Sequence, residues 1–309
     1  MILGIDTSNY TTSVALYDEK NNIAYNFKKL LPVKSGEKGL RQSDAVFHHT
    51  MQIRELLTEA FKITTDITSV GVSISPCDND GSYMPCFMVG QTIAEAISGG
   101  LDVKLFTFSH QRGHVAAALY SCNKLDLLNE KFIAFHFSGG TSDALLIEPD
   151  DEKIIKCNII ASSSDLKAGQ SIDRAGVMLG LPFPCGKYID ELACKSTAEF
   201  KIKPSFSGLN PSFSGVENKC IKMHNEGKSR EDIAKYVISY TLSVVNKMTE
   251  FILNDFGQLP IVYAGGVMSN SIIRKYMTEK YDCSFAEPEF SSDNAVGVAV
   301  LAALKEKQI

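Results

Sequence analysis

The chain lacks any apolar run near the roughly 20 residues that span a bilayer, so no membrane protein is expected. It also lacks a Cys-x-x-Cys pair. Cys77, Cys86, Cys122, Cys157, Cys185, Cys194, Cys220 and Cys283 are scattered, which argues against a zinc ribbon and for the reduced thiols of a cytoplasmic protein. No basic segment followed by an apolar stretch opens the chain, so no secretory signal is expected. Basic charge is not in excess either: 31 Lys and Arg stand against 36 Asp and Glu, a net charge of −5. A nucleic-acid partner must therefore meet a local basic patch, such as Lys28, Lys29, Lys34, Lys38 and Arg41, or a second protein. Low-complexity segments and flexible linkers are missing too. With 309 residues the expectation is two packed lobes, 1–125 and 126–309, the last helix packing back toward the first lobe.

What the chain does have is His110-Gln-Arg-Gly-His114, directly after the apolar run Val103–Phe108. A helix capped by Ser109 and continued by Val115-Ala-Ala-Ala-Leu119 puts two imidazoles at i and i+4 on one face. That spacing lets both bind one metal ion and leaves positions open for a third ligand and a substrate oxygen. The competing reading is a helix with two hydrogen-bonded histidines.

Two stretches repeat one pattern about 130 residues apart. Ile2–Tyr17 reads as strand, polar tip (Thr7 to Tyr10) and strand; Ile133–Glu148 reads as strand, Ser138-Gly139-Gly140-Thr141 tip and strand. Hydroxyls and glycine amides at such tips suit phosphate. Two lobes, each opened by such a hairpin, is the layout of an α/β actin-like ATPase fold (ASKHA, ribonuclease H-like). Helices are expected over Ser43–Phe61 and Met84–Ile97, from Asp165 to Leu181 and from Lys187, and from Ser229 to about Leu253. The apolar stripe of Val46, Met51, Ile53, Leu56, Leu57 and Phe61 is expected to pack in the core or to form part of an interface. Phe206-Ser-Gly-Leu and Phe213-Ser-Gly-Val are near-duplicates that read as loop or β segment. Asp293 precedes a small-residue helix and is favoured there simply as a cap.

Gly4-Ile-Asp-Thr-Ser8, His110-x-x-x-His114, Ser138-Gly-Gly140, Ala168-Gly-Gln-x-x-Asp173, Leu179-Gly-Leu-Pro-x-Pro-x-Gly186, Phe206-Ser-Gly-Leu209, Ala264-Gly-Gly-Val-x-x-Asn270 and Ser292-Asp-Asn294 follow one another in order. The ordered set resembles the TsaD/Gcp (Kae/YgjD) family, formerly labelled O-sialoglycoprotein endopeptidase. The resemblance implies metal-dependent transfer of a threonylcarbamoyl group from threonylcarbamoyl-adenylate to N6 of the adenosine beside the anticodon in tRNA. It implies one divalent metal, iron or zinc, on His110, His114 and Asp293. It places the phosphoryl or acyl end of the substrate at His136, Phe137, Ser138, Gly139 and Gly140, and the adenosine at Asp173, Gly186, Asp190 and Asn270. It also implies TsaB-like and TsaE-like partner proteins and a homo- or heterodimer through the N-terminal lobe.

Three motifs depart from the family pattern. Thr141 stands where Ser-Gly-Gly is usually followed by His, Gln170 where Glu is usual, and Pro76-Cys-Asp-Asn-Asp-Gly81 where the loop is usually Arg-Gly-Pro-Gly. Two further readings follow: a divergent paralogue that carbamoylates another acceptor, and a nucleotide-binding scaffold for a partner in tRNA modification. A peptidase is disfavoured, because no Glu stands beside the histidines to serve as base.

Overall fold

The computed structural model describes residues 1–8, 10–32, 40–79, 81–291 and 293–308. Asn9 of the first hairpin tip, Lys34 and Lys38 of the basic patch, Asp80 and Ser292 lie outside the described residues. The chain divides into two units. Unit 1 is Met1–Glu130, Glu148–Cys157 and Glu289–Ile309; unit 2 is Lys131–Ile147 and Asn158–Pro288.

The chain opens with β1 (Ile2–Ser8), β2 (Thr11–Asp18), β3 (Ile23–Leu30), α1 (Gln42–Ile63), β4 (Ser69–Ser75), α2 (Phe87–Leu101), β5 (Lys104–Ser109) and α3 (His110–Ser121). It continues with β6 (Phe132–Phe137), β7 (Ser142–Asp150), β8 (Ile154–Ser162), α4 (Ala168–Met178), α5 (Gly186–Ala193), β9 (Ser205–Ser207), β10 (Asn210–Ser212), α6 (Ser214–Asn225), α7 (Arg230–Phe256), β11 (Ile261–Ala264), α8 (Ser271–Lys280), β12 (Cys283–Phe285) and α9 (Val296–Lys307). Among the described residues no helix is long and apolar enough to cross a membrane.

The sheets of the two units have one topology, β3-β2-β1-β4-β5 and, from the corresponding edge, β8-β7-β6-β11-β12. The opening hairpins share one register as well. Ile2 faces Tyr17 in the first and Phe132 faces Ile147 in the second, a uniform offset of 130 residues.

In unit 1 the alternation of side chains along β1 sorts them between two helical layers. Leu3 and Ile5 join Ile53, Leu56 and Ala94 of α1 and α2 in one core. Gly4 turns the other way, where an added Cβ would lie 2.3 Å from the Ala295 carbonyl oxygen, and Gly71 of β4 meets the Val298 carbonyl oxygen at the same distance. Side chains are therefore excluded from both strands where α9 crosses. Two residues further along, on that same face, stand Asp6 and Ser73. The apolar stripe of α1 divides: Ile53 and Leu56 are buried while Met51 is exposed, as is Phe47 outside the stripe. In unit 2 Phe135, Ile172, Val237, Val244, Met248 and Tyr263 lie in the core.

The duplicated Phe-Ser-Gly segments part company. The first forms the strand β9, and the second opens α6 at Phe213. The apolar stripe of α6, Val216, Cys220 and Met223 at i, i+4 and i+7, is buried in the core of unit 2, but its Phe-Ser-Gly opening reads in sequence as a loop.

His49 of α1 is fully buried against β2, its Nδ1 2.8 Å from Thr12 Oγ1. Burial lowers its pKa from 6.5 to about 4, against the opposing charge of Asp6; His48 also bears on it. Because the folded value lies below the unfolded one, the unfolded chain takes the proton first as pH falls. Stability is thus flat above pH 6.5 and drops between there and pH 4, by roughly 3 kcal/mol in total. Urea titrations at pH 7.5 and 5 are expected to show this slope and His49→Asn to reduce it. Equal slopes in the two proteins would refute the assignment.

Candidate metal centre

Ser109 caps α3, its Oγ accepting from the Arg112 amide at 3.3 Å, and so fixes the helix start at His110. His110 and His114 then lie on one face with ring centroids 4.2 Å apart. Asp6, at the end of β1 and 1% exposed, lies 2.9 Å from His110 Nδ1 and accepts from Ser8 Oγ at 2.8 Å and from Ser73 Oγ. A carboxylate on Nδ1 keeps the proton there and leaves Nε2 as the ligating nitrogen. That Nε2 is 3.5 Å from Asp293 Oδ1, and His114 Nε2 is 3.1 Å from the same oxygen. The other oxygen of Asp293 accepts from Thr11 Oγ1 at 3.3 Å.

Asp293 does not cap α9. Ser13 Oγ accepts from the Ala295 amide at 2.8 Å and Asn294 Oδ1 from the Val296 amide at 3.1 Å. Those two residues do the capping, and the Asp293 carboxylate turns to the histidines. The approach of α9 to α3 depends on two glycines. A Cβ on Gly297 would lie 1.8 Å from the Gly113 carbonyl oxygen, so the helix backbones touch between the two histidines and four residues past Asp293.

The electrostatics favour a cation. For Asp293, burial raises the pKa, but hydrogen bonds and charge from His110 and His114 carry it well below the usual carboxylate range. For His110, burial lowers the pKa, but the charge of Asp6 and the hydrogen bond that the ring donates to Asp293 outweigh it and push the value up to about 10.

The donor set fits one divalent ion. The ligand atoms of His110, His114 and Asp293 all lie within 4.8 Å of one another. Donors about 2.1 Å from a shared ion at tetrahedral to octahedral angles stand roughly 3.0–3.4 Å apart, close to the 3.1 and 3.5 Å seen here. Two imidazoles and a carboxylate suit iron or zinc.

The remaining expected site residues lie in unit 2. Ser138 N donates to Thr141 O at 2.7 Å, and Ser138 Oγ accepts from the amides of Gly140 and Thr141 at 3.2 and 3.1 Å. The turn is therefore prefolded by its own serine. A Cβ on Gly169 would lie 2.7 Å from Gly139 N, so the Ala168-Gly169 motif lets α4 abut this turn. Gln170 Oε1 accepts from Lys167 N at 3.3 Å, which gives the amide at this position a role in starting α4. His136 is half-buried and Phe137 fully buried on β6. Asp173 Oδ1 accepts from Cys185 N at 2.8 Å, next to Gly186, and burial raises its pKa. Asp190 takes Asn270 Nδ2 at 2.8 Å, Ser271 Oγ at 2.9 Å and Ser271 N at 3.1 Å. Asn270 Oδ1 caps α8. Asp173 and Gly186 thus adjoin through Cys185, and Asp190 and Asn270 touch.

Sequence reasoning missed Asp6, Thr11 and Ser73. One signal was present: an acid directly after Ile-Leu-Gly-Ile ends a strand that reads as buried, and a buried acid needs a partner.

Comparison with known proteins gives two kinds of likeness. The family profile described as TsaD, tRNA N6-adenosine threonylcarbamoyltransferase, matches residues 35–300. A probable bifunctional tRNA threonylcarbamoyladenosine biosynthesis protein of Methanocaldococcus jannaschii is 25% identical over 312 residues, covering 99% of this chain and 55% of the relative. The chain thus spans about half the length of that curated relative. Among solved structures, component A of the Acidaminococcus fermentans (R)-2-hydroxyglutaryl-CoA dehydratase has a TM-score of 0.56 at 18% identity, over 99% of this chain and 98% of that one. A ROK family glucokinase of Streptomyces griseus, in complex with glucose and AMPPNP, has a TM-score of 0.53 at 11% identity, over 98% and 99%. These two likenesses show the fold alone, the α/β actin-like ATPase class that the paired hairpins predicted.

Proposed function

The chain belongs to the TsaD family of tRNA N6-adenosine threonylcarbamoyltransferases, and from that membership we propose that it moves a threonylcarbamoyl group from threonylcarbamoyl-adenylate to N6 of the adenosine beside the anticodon in tRNA. The observation that carries this reading is the gathering of His110, His114 and Asp293 within 4.8 Å, with Asp6 behind His110.

In this reading His110, His114 and Asp293 hold one Fe²⁺ or Zn²⁺. When bound, such an ion supplies Lewis acidity toward an acyl or phosphoryl oxygen. Asp6 keeps the His110 ring in place, and Thr11 does the same for Asp293. The Ser138–Gly140 turn, with His136 and Phe137 leading into it, presents a preformed backbone to the charge that develops on the substrate. Asp173, Gly186, Asp190 and Asn270 hold the adenosine, the carboxylates accepting from ribose hydroxyls. The acceptor N6 attacks the carbamoyl carbon, the bond from that carbon to the phosphate oxygen breaks, AMP leaves, and N6 gives up one proton to solvent. TsaB-like and TsaE-like partners fit the same reading, and the exposed Phe47 and Met51 of α1 offer a surface for a homo- or heterodimer.

A second reading, transfer to another acceptor, is favoured by Thr141, where the family usually has His. One experiment separates the two. Labelled threonylcarbamoyl-adenylate is incubated with unmodified tRNA and purified protein, with and without TsaB- and TsaE-like partners, for wild type and His110→Ala. Metal-dependent labelling of tRNA is expected, reduced at least about 100-fold in the variant, since outer-shell partners of a metal alone are worth 10–100-fold. Folded, metal-loaded protein that leaves tRNA unlabelled would sink the first reading.

A further inference from the structure

Arg112 sits between the two histidines in sequence but two positions on from His110, about 200° around the helix, so it leaves from the back of α3. It is only 8% exposed. Its Nε lies 2.9 Å from Asp78 Oδ2, in the loop after β4. Neither atom makes an aligned hydrogen bond among the described residues, so charge carries the attraction. A second contact runs parallel to it: Gln111 N donates to Pro76 O at 3.0 Å. The loop is braced in turn, Ser75 Oγ donating to Cys77 O at 3.0 Å and Cys77 N to Ser82 Oγ at 3.2 Å. Lys153 is a second cation close by, its Nζ on Thr107 O at 2.8 Å, and its charge and that of Arg112 act on each other.

We propose that the Asp78–Arg112 ion pair is a positioning tie that holds the first turn of α3, and with it His110 and His114, against the loop after β4. About 100° further round the helix, α3 meets α9 at Gly113 and Gly297, where backbone touches backbone. The helix is thus held on two adjacent faces at the level of its histidines. Without the Asp78 carboxylate, the repulsion between Arg112 and Lys153 loses one of its compensating charges, Glu152 and Asp150 still acting on Lys153, and the uncompensated part acts on the turn that carries His110. The acidic character of a loop that is basic in the family pattern is, at Asp78, spent on this contact.

The inference rests on the reading of His110 and His114 as metal ligands, and the test separates the two. Zn²⁺ and Co²⁺ are titrated into metal-free protein, the Co²⁺ absorption spectrum is recorded, and amide exchange is followed at residues 110–114 without metal. The proteins are wild type, Asp78→Asn, Arg112→Asp and the exchange Asp78→Arg/Arg112→Asp. Each single change is expected to weaken metal binding by about tenfold, the low end for residues that orient ligands, and to speed exchange in the first turn of α3. The charge exchange is expected to bring both readouts back to within about threefold of wild type. Wild-type affinity and spectrum in Asp78→Asn would overturn the proposal, as would an exchange variant no better than the singles. Should Asp78→Asn not fold, Asp78→Glu, which keeps the charge and moves it by one methylene, is expected to alter the Co²⁺ spectrum, and an unaltered spectrum counts against the tie. A wild type that binds neither metal removes the metal reading alone, and amide exchange then decides the tie.

Discussion

Gly297→Ala is expected to destabilise the protein by about 3 kcal/mol, the upper end for an overpacked core site, and to weaken metal binding with it. The new methyl would stand 1.8 Å from the Gly113 carbonyl oxygen, and that atom belongs to the backbone of α3, which cannot rotate away. The helices must separate, and the separation falls between Asp293 and the two histidines. Gly113→Ala is the informative contrast. Its methyl would meet Val298 Cγ1 at 3.0 Å, a side chain that can change rotamer, so a loss of about 1 kcal/mol is expected. Alanine has the better helix propensity at both positions, so any loss is net of a favourable contribution of about 1 kcal/mol. Thermal melts and Zn²⁺ titrations of the two variants check this. Equal effects, or a Gly297→Ala protein as stable as wild type, would contradict the described crossing.

Asp6→Asn is expected to lower metal affinity 10–100-fold, roughly the effect of losing an outer-shell carboxylate, although Asp6 is not among the three gathered donors. The substitution keeps the shape and removes the charge. An amide that presents its NH₂ to His110 Nδ1 selects the other tautomer and turns the proton onto Nε2, where it blocks ligation. Asp6→Ala goes further. It leaves Ser8 Oγ, Ser73 Oγ and His110 Nδ1 without their shared acceptor in a site that is 1% exposed, at an expected cost of about 3 kcal/mol in stability. Calorimetric titration with Zn²⁺, alongside unfolding curves, measures both effects. Unchanged affinity in Asp6→Asn would remove Asp6 from the centre.

The parts of this site that were legible in the sequence are those written in local spacing. Ser109 before an i, i+4 histidine pair announces both the cap and the shared face, and α3 starts where that cap places it. The hairpin repeat was legible because strand, polar tip and strand recur at a fixed interval, and the registers agree with it. Local spacing carries no information about Asp6, whose partner is 104 residues away in the chain, or about the Gly113–Gly297 contact, where the signal is the absence of two side chains. Asp293 was the ambiguous case. An acid before a helix reads as a cap, and only family resemblance made it a ligand; the structure assigns the capping to Asn294 and Ser13 and brings the carboxylate to the histidines. The helix α6 escaped notice because its Phe-Ser-Gly opening reads as a loop, although Val216, Cys220 and Met223 stand at helical spacing behind it.

The position of α9 in the chain has a consequence for biosynthesis. The opening elements of unit 1 are translated before unit 2, yet α9 and Asp293 follow the whole of unit 2. A nascent chain that has already emerged through α3 carries the strand glycines Gly4 and Gly71 with nothing to cover them, and two histidines with no acid between them. The N-terminal sheet therefore has to wait for a helix translated more than 150 residues later than α3. A chain truncated anywhere between α3 and Asp293 has an open seam and lacks the acid of the His110, His114 and Asp293 group, and an open seam is the kind of exposed apolar surface that quality-control proteases and chaperones act on.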